Sequence, residues 1–404
     1  SLILIFHLPM LAMRYRRFGR TELAMPVFSC GGMRYQHKWQ DVSPKQIPAD
    51  SQANLEATIR RSLDVGINHI ETARGYGTSE MQLGQILPTL PREKLIVQTK
   101  ISPVADAKAF RRTFDQSLSY LKLDHVDLLG LHGINTPELL DFCTRPGGCL
   151  DVVHALQSQG KVRFVGFSTH GPTDVIEQTI ATNQFDYVNL HWYYINQTNW
   201  SAIEAAARHD MGVFIISPSE KGGMLFKPPQ RLVDLCTPLS PIVFNDLFCL
   251  SHPQVQTLSV GAANPQDFDE HLKTLAYLDQ ASDVLPILER LEQAAIDRLG
   301  ADWMQTWHVG LPALTETPGG LNIPVMLWLR NLALAYDMVD YAKMRYNLLG
   351  QGGHWFPGAN GDRVTDLNLQ PCLAQSPHAD KIPQLLAETH ALLGGQKIQR
   401  LSRQ

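Results

Sequence analysis

Gly66-Ile67-Asn68-His69-Ile70-Glu71-Thr72-Ala73-Arg74-Gly75-Tyr76-Gly77 marks a change of hydrophobic period. Upstream, Leu55, Ile59 and Leu63 recur every four residues and form the apolar stripe of an amphipathic helix. Gly66 stands where that helix must stop, as a left-handed cap requires. Asn68–Thr72 then reads as a strand, and a loop carrying Tyr76 follows. The same unit repeats in both directions. Strands are expected at Pro26–Cys30, Asn68–Thr72, Lys94–Thr99, Val126–Leu131, Val162–Ser168, Tyr187–Trp192, Gly212–Ser217 and Thr257–Gly261. Helical stretches lie between them, for example Phe110, Phe114, Leu118 and Leu121, and Gly160 and Gly212 repeat the cap. Eight βα units predict an α/β fold closed into a TIM (β/α)8 barrel. An open doubly wound sheet would want Gly-x-Gly-x-x-Gly after its first strand; Ser29-Cys30-Gly31-Gly32-Met33 leads instead into an unrelated loop.

The 404 residues exceed one barrel. After Leu278 the texture changes to helical segments near Val284–Leu299 and Leu327–Leu348, with Gly/Pro-rich loops at Pro318–Pro324 and Gly350–Gly361. The expected organisation is an N-terminal extension over 1–12, a barrel over 13–280 and a mostly helical segment over 281–404. The apolar run Leu2–Leu11 contains His7 and Pro9 and is shorter than the ~20 residues that span a bilayer. It lacks the basic and small-residue flanks of a signal peptide, so it reads as an extension ahead of Met13. A net charge of -4 offers no basic surface for nucleic acid, and no membrane association is expected. Cys30, Cys143, Cys149, Cys236, Cys249 and Cys372 form no Cys-x-x-Cys pair and read as free thiols of a cytoplasmic protein.

In a parallel barrel the working residues sit at the carboxyl ends of strands. Here those ends carry Glu71, Lys100, His132, Ser168, Asn189 and Ser217, with Tyr76 in the loop after the second strand. The combination suits carbonyl reduction. Hydride addition leaves an alkoxide that needs a proton, and a phenol is a poor donor at neutral pH unless its anion is stabilised. Lys100 can stabilise it, Glu71 can keep Lys100 charged, and His132 can orient the substrate oxygen. His170 and His191 read as packing or pocket-lining groups. Trp39, Trp192, Tyr193 and Trp200 suit either a pocket wall or the core.

The stretch Gly66–Gly77, with Ser79-Glu80 and Leu83-Gly84 after it, resembles the strand-two signature of the aldo-keto reductases. Gln98-Thr99-Lys100, Asp127-Leu128-Leu129-Gly130-Leu131-His132 and Gly160-Lys161-Val162-Arg163-Phe164-Val165-Gly166-Phe167-Ser168-Thr169 are similar to further family blocks, in order. The resemblance covers about Arg14 to Leu278. It implies an NAD(P)H-dependent oxidoreductase reducing aldehydes or ketones, with Tyr76 as general acid, Lys100 tuning it, His132 positioning the carbonyl, and Glu71 where the family usually has Asp.

For the cofactor, the resemblance implies that Ser168, Thr169 and Asn189 hold the nicotinamide amide, and that Ile216, before Ser217, floors the ring where relatives have an aromatic. Ser217-Pro218-Ser219-Glu220-Lys221-Gly222-Gly223-Met224-Leu225 resembles the pyrophosphate-covering segment, which brings in Ser217, Ser219, Lys221 and Gly222. The segment Gly261–Glu270 resembles the adenosine site, contributed by Gly261, Ala263, Asp267 and Glu270; many relatives place Arg or Lys there for a 2′-phosphate. NADP(H) is expected from the family, with NAD(H) as the alternative and Lys221 or Lys227 as compensating cations. A subset of the family carries a ferredoxin-like tail with Ile-Pro turns after its cluster cysteines, which resembles Gly320-Leu321-Asn322-Ile323-Pro324 and Lys381-Ile382-Pro383. The eight ligand positions here are His308, Leu311, Leu314, Thr317, Asp366, Leu369, Cys372 and Ser376. One thiol cannot hold a cluster, so a degenerate tail without iron–sulfur or other metal is expected. The competing reading is a nicotinamide-binding regulatory or docking subunit whose C-terminal segment engages a protein partner.

Overall fold

The computed structural model describes residues 11–351 and 356–400. The expected extension over 1–12 lies almost wholly outside them. The chain divides into two compact units. One runs to Gly222 and resumes over Asn245–Ala281; the other takes Gly223–Phe244 and the residues from Ser282 onward.

The first unit is a closed parallel barrel whose eight strands follow chain order. They are β1 (Phe28–Gly31), β2 (His69–Glu71), β3 (Ile96–Ile101), β4 (Val126–His132), β5 (Val162–Ser168), β6 (Tyr187–Leu190), β7 (Gly212–Ile215) and β8 (Thr257–Val260). Closure comes from Leu258, Ser259 and Val260 of β8 pairing with Phe28, Ser29 and Cys30 of β1. The expected TIM barrel is thus observed. Strands buried on both faces read as near-continuous apolar runs, which is why the eight segments were legible.

The helices that matter here are α1 (Ala49–Asp64), α2 (Ala107–Leu121), α3 (Cys149–Ser158), α4 (Thr173–Ala181), α5 (Trp200–Arg208), α6 (Pro241–Leu250) and α7 (Asp269–Leu272). α2 starts where the Asp106 side chain accepts from Lys108 N, and it buries Phe110, Phe114 and Leu121. Each such aromatic contributes about 1.5–3 kcal/mol of burial. Gly66 and Gly160 end helices with positive φ, as expected. Gly212 does not: Asp210 adopts the left-handed conformation, and Gly212 opens β7 instead.

The amino end of the barrel is stoppered by an antiparallel hairpin, Tyr15–Arg17 with Ala24–Pro26. Its Phe18 and Met25 pack with Ile96, Leu128, Tyr187 and Phe214 inside the cylinder.

The second unit contains α8 (Leu285–Leu299), α9 (Ala301–Thr306), α10 (Ile323–Tyr336), α11 (Val339–Tyr346) and α12 (Ile382–Leu393). α8 packs on α10, and α10 on α11. Tyr336 donates to Leu291 O at 3.2 Å, and Trp303 Nε1 donates to Asn331 at 2.8 Å. Both Ile-Pro steps prove to be the first residues of helices, α10 and α12. Proline at that position loses no helical hydrogen bond and has its φ already set.

Candidate active site

Glu71, Lys100 and His132, from three strand ends, meet Tyr76, from the loop after β2, at the mouth. Lys100, on β3, is 1% exposed, and Glu71, closing β2, is 3% exposed. They form an ion pair, and Lys100 Nζ also donates to Thr72 O at 3.0 Å. Space for the lysine stem comes from Gly130 on β4, where a Cβ would stand 2.9 Å from Lys100 Cγ. The extra methylene of Glu71, relative to the Asp usual in the family, does not prevent the pairing.

Tyr76 lies in a turn closed by Tyr76 N donating to Ala73 O at 3.1 Å. Gly77 follows at φ +55, with its Cα so close to the Lys38–Trp39 backbone that a Cβ would fall 1.9 Å from Lys38 O. That contact, with Thr78 N donating to Lys38 O at 2.9 Å, pins the loop after β1 against the Tyr76 turn. Trp39 consequently stands edge-on to Tyr76, ring centroids 6.3 Å apart. His132, ending β4, meets Tyr76 from another side at 5.8 Å and 89°. Lys100 Nζ is 4.7 Å from the centre of the Tyr76 ring. Arg74 braces the turn by pairing with Asp41 and, at 2.6 Å, with the buried Glu80, which also accepts from Thr99 at 2.7 Å.

Burial dominates the electrostatics. It pushes the Tyr76 phenol above its ordinary value. Burial also pushes the Lys100 amine well down, which the Glu71 carboxylate opposes. His132 is pushed down to about 3 by burial, then by the charges of Lys100 and Lys221. The mouth therefore presents a protonated phenol and a neutral imidazole, each able to donate a hydrogen bond.

The expected cofactor residues divide. Asn189, fully buried at the end of β6, has neither its Oδ1 nor its Nδ2 hydrogen-bonded among the described residues. A buried amide without partners is costly, and a carboxamide would satisfy both of its atoms. This is the observation by which the pocket fits a nicotinamide. Ser168 Oγ accepts from Gly133 N at 3.1 Å. Thr169 is committed to its own loop, donating to Ile134 O at 3.2 Å and accepting from Gly171 N at 3.0 Å. Ile216 is half-buried and packs on the apolar cluster inside the barrel. Ser217 is held at φ +48 and accepts from Lys221 N at 3.0 Å, so the following loop turns tightly over Gly222.

In the segment after β8, expected to meet the adenosine, Asn264 caps Gln266 N at 3.0 Å, and Asp267 accepts from Ala263 N at 2.8 Å. Glu270 pairs with Lys273 at 2.6 Å. His170 Nδ1 lies 2.6 Å from His191 Nε2, whose other nitrogen meets Tyr193 OH at 2.7 Å; Tyr193 donates to Ile216 O. Trp192 is core, stacked on Phe248 at 4.9 Å. Sequence reasoning missed Arg34, beside Gly261 and ion-paired with Glu220, although its place just past β1 follows the same strand-end rule. It also missed Asp246 and His271, which no local pattern marks.

A closed parallel barrel with its buried ion pair, phenol and imidazole gathered at the carboxyl ends is a (β/α)8 protein built in the manner of an enzyme. The sequence profile of the aldo/keto reductase family matches residues 28–239, and the chain belongs to that family. It is 28% identical over 188 residues to the NADH-specific methylglyoxal reductase of Escherichia coli, covering 41% of this chain and 56% of that protein. It is 34% identical over 128 residues to L-galactose dehydrogenase of Arabidopsis thaliana, covering 30% and 39%. The chain spans about half the length of the curated relatives it matches. Among solved structures, the holo form of an aldo-keto reductase from Bacillus halodurans superposes with a TM-score of 0.57 at 18% identity, covering 69% of this chain and 96% of that one. An aldo-keto reductase from Klebsiella pneumoniae in complex with NADPH gives 0.54 at 19%, covering 68% and 96%. These two likenesses show the fold. Among the described residues no single helix is long and apolar enough to cross a membrane.

Proposed function

We propose that this protein is an NAD(P)H-dependent oxidoreductase that reduces a small aldehyde or ketone to an alcohol, with Tyr76 as general acid. The observation that carries the reading is the buried Lys100–Glu71 pair beneath the Tyr76 ring, with His132 edge-on to the same ring. The bound nicotinamide supplies the hydride. The remaining work falls to the chain's own groups. Tyr76 O–H and the neutral His132 ring hold the substrate oxygen, and Tyr76 transfers its proton as negative charge grows there. A phenol whose ground-state acidity is suppressed by burial gives up that proton only when the charge it meets is large. The Lys100 ammonium, kept charged by Glu71, then stabilises the phenolate.

Asn189 and Ser168 would grip the carboxamide, and Ile216 would floor the ring. The turn Ser217–Gly222 would cover the pyrophosphate with Ser219 and Lys221, and the segment with Gly261, Ala263, Asp267 and Glu270 would meet the adenosine. Thr169 would support Ser168 rather than touch the cofactor. The family resemblance favours NADP(H); the Escherichia coli relative is NADH-specific, so fluorescence titration with NADPH and NADH is the direct comparison. The helical second unit is read as a degenerate ferredoxin-like domain without a cluster. Turnover of an aldehyde panel by the purified chain, followed by loss of NAD(P)H absorbance, tests the assignment. Tyr76→Phe should lower kcat by about 10²–10⁴ while leaving dinucleotide binding intact. Equal rates for the two proteins would refute it, and binding without turnover by either would favour the regulatory or docking subunit.

A further inference from the structure

Three side chains that play no part in the proton transfer above meet under the loop after β7. Asp246 on α6 and His271 on α7 are 1% and 4% exposed, and Ser219 is half-buried. Asp246 Oδ2 lies 2.6 Å from His271 Nδ1, and His271 Nε2 lies 3.1 Å from Ser219 Oγ. Burial pushes the Asp246 carboxyl up, against the opposing charge and hydrogen bond of His271. The surroundings are the Phe28 ring at 5.6 Å, Thr274 Oγ1 at 3.5 Å from the same carboxylate oxygen, and Cys249. The charged groups near the three are Glu270, itself paired with Lys273, Glu220, which follows Ser219 and pairs with Arg34, and Lys221, two residues beyond Ser219.

The order of contacts is that of an acyl-transfer triad. His271, however, is too deeply buried to offer its Nε2 to a leaving group, so hydrogen-bond donation is the chemistry these groups fit. Without an extra proton, Asp246 is a carboxylate, His271 carries its hydrogen on Nδ1, and the lone pair of Nε2 takes the Ser219 O–H. With one proton added to the pair, on either the carboxyl or the imidazole, Nε2 bears a hydrogen and donates to Ser219 Oγ. The Ser219 hydroxyl hydrogen is then released to another acceptor.

We propose that Ser219, freed by uptake of one proton on the Asp246–His271 pair, donates to a phosphoryl oxygen of the dinucleotide, so that the cofactor binds together with a proton. The inference rests on the dinucleotide binding proposed above and adds its regulation by pH. The phosphoryl oxygen replaces Nε2 as acceptor of the Ser219 hydrogen, and the added proton comes from bulk solvent.

The test is isothermal titration calorimetry on the full chain with NADH, which has no titrating 2′-phosphate, in Tris and in HEPES between about pH 6 and 8.5. The wild type should take up close to one proton per NADH at the alkaline end, with Kd weakening toward tenfold per pH unit there. His271→Asn and Ser219→Ala, checked for native circular dichroism, should bind with that uptake abolished. If the chain accepts only NADPH, the difference in uptake between wild type and variants replaces the absolute value, because the 2′-phosphate contribution cancels. Uptake near zero at every pH, or wild-type uptake in both variants, overturns the inference while leaving the proposed function standing. Failure of both dinucleotides to bind overturns the two together.

Discussion

Removing one member of the Lys100–Glu71 pair leaves an uncompensated charge in a pocket where both side chains are at most 3% exposed. Breaking such a buried pair costs about 3–5 kcal/mol, whereas replacing both charges by apolar groups of similar volume is often neutral. Glu71→Leu strands an ammonium left with the hydrogen bond to one carbonyl, Thr72 O. Lys100→Met strands a carboxylate and strips that carbonyl of its donor. Each single variant should therefore lose about 3 kcal/mol or more, and the double variant should lose far less than the sum. The chain has two units, so a global melting curve would mix them. Hydrogen exchange of peptides from β2 and β3, read by mass spectrometry, isolates the barrel. At 1.4 kcal/mol per tenfold, a 3 kcal/mol loss is roughly a hundredfold faster exchange in either single variant. Losses that add to within about 0.5 kcal/mol in the double variant would refute the reasoning, because independent sites add and a charge pair cannot. Activity should not recover in the double variant, which separates the stability of the pair from its work on Tyr76.

Two further outcomes follow from single residues. His69, fully buried between Ser29 Oγ at 2.6 Å and Gln98 Oε1 at 2.8 Å, is pushed by burial down to about 4 from an ordinary 6.5. Its folded pKa lies below the unfolded one, so it adds no penalty above about pH 6.5. As pH falls from there toward 4 the unfolded chain gains a proton that the native ring refuses, costing about 3 kcal/mol from 2.5 units at 1.36 kcal/mol each. Urea titrations of the barrel from pH 7 to 4 should show that loss, and His69→Gln should flatten it; an unchanged slope would show that other groups set the acid limit. Gly77→Ala places a Cβ at positive φ against Lys38 O. It should destabilise the loop by about 2 kcal/mol or more and lower kcat through displaced Tyr76 and Trp39, and wild-type kinetics in a folded variant would exclude the pinning role.

The barrel was legible because its signals are local. Each strand is a short apolar run, each helix an apolar stripe, and Gly66 and Gly160 end helices where left-handed backbone is needed. The strand-end rule then located Glu71, Lys100, His132 and Asn189 without reference to any contact. The rule faltered where two neighbours could do one job: Asp210, not Gly212, takes the left-handed turn, because Asp tolerates that conformation and leaves the glycine to start β7. The Ile-Pro steps are likewise ambiguous in sequence, since proline suits both a turn and a helix's first residues.

By itself the sequence determined the number and order of the βα units and the chemical types gathered at their ends, because both depend on periods of two and 3.6 and on single special residues. Only the tertiary structure decided what each group does in its surroundings. Burial raises Tyr76 where proximity to an ammonium alone would lower it, and lowers His132 to about 3. Closure of the barrel, likewise, brings Arg34 to Glu220 and Asp246 to His271 and Ser219, contacts across many residues of chain. A pKa and a long-range hydrogen bond depend on distance and on the exclusion of water, and neither is written in the spacing of residues along a chain.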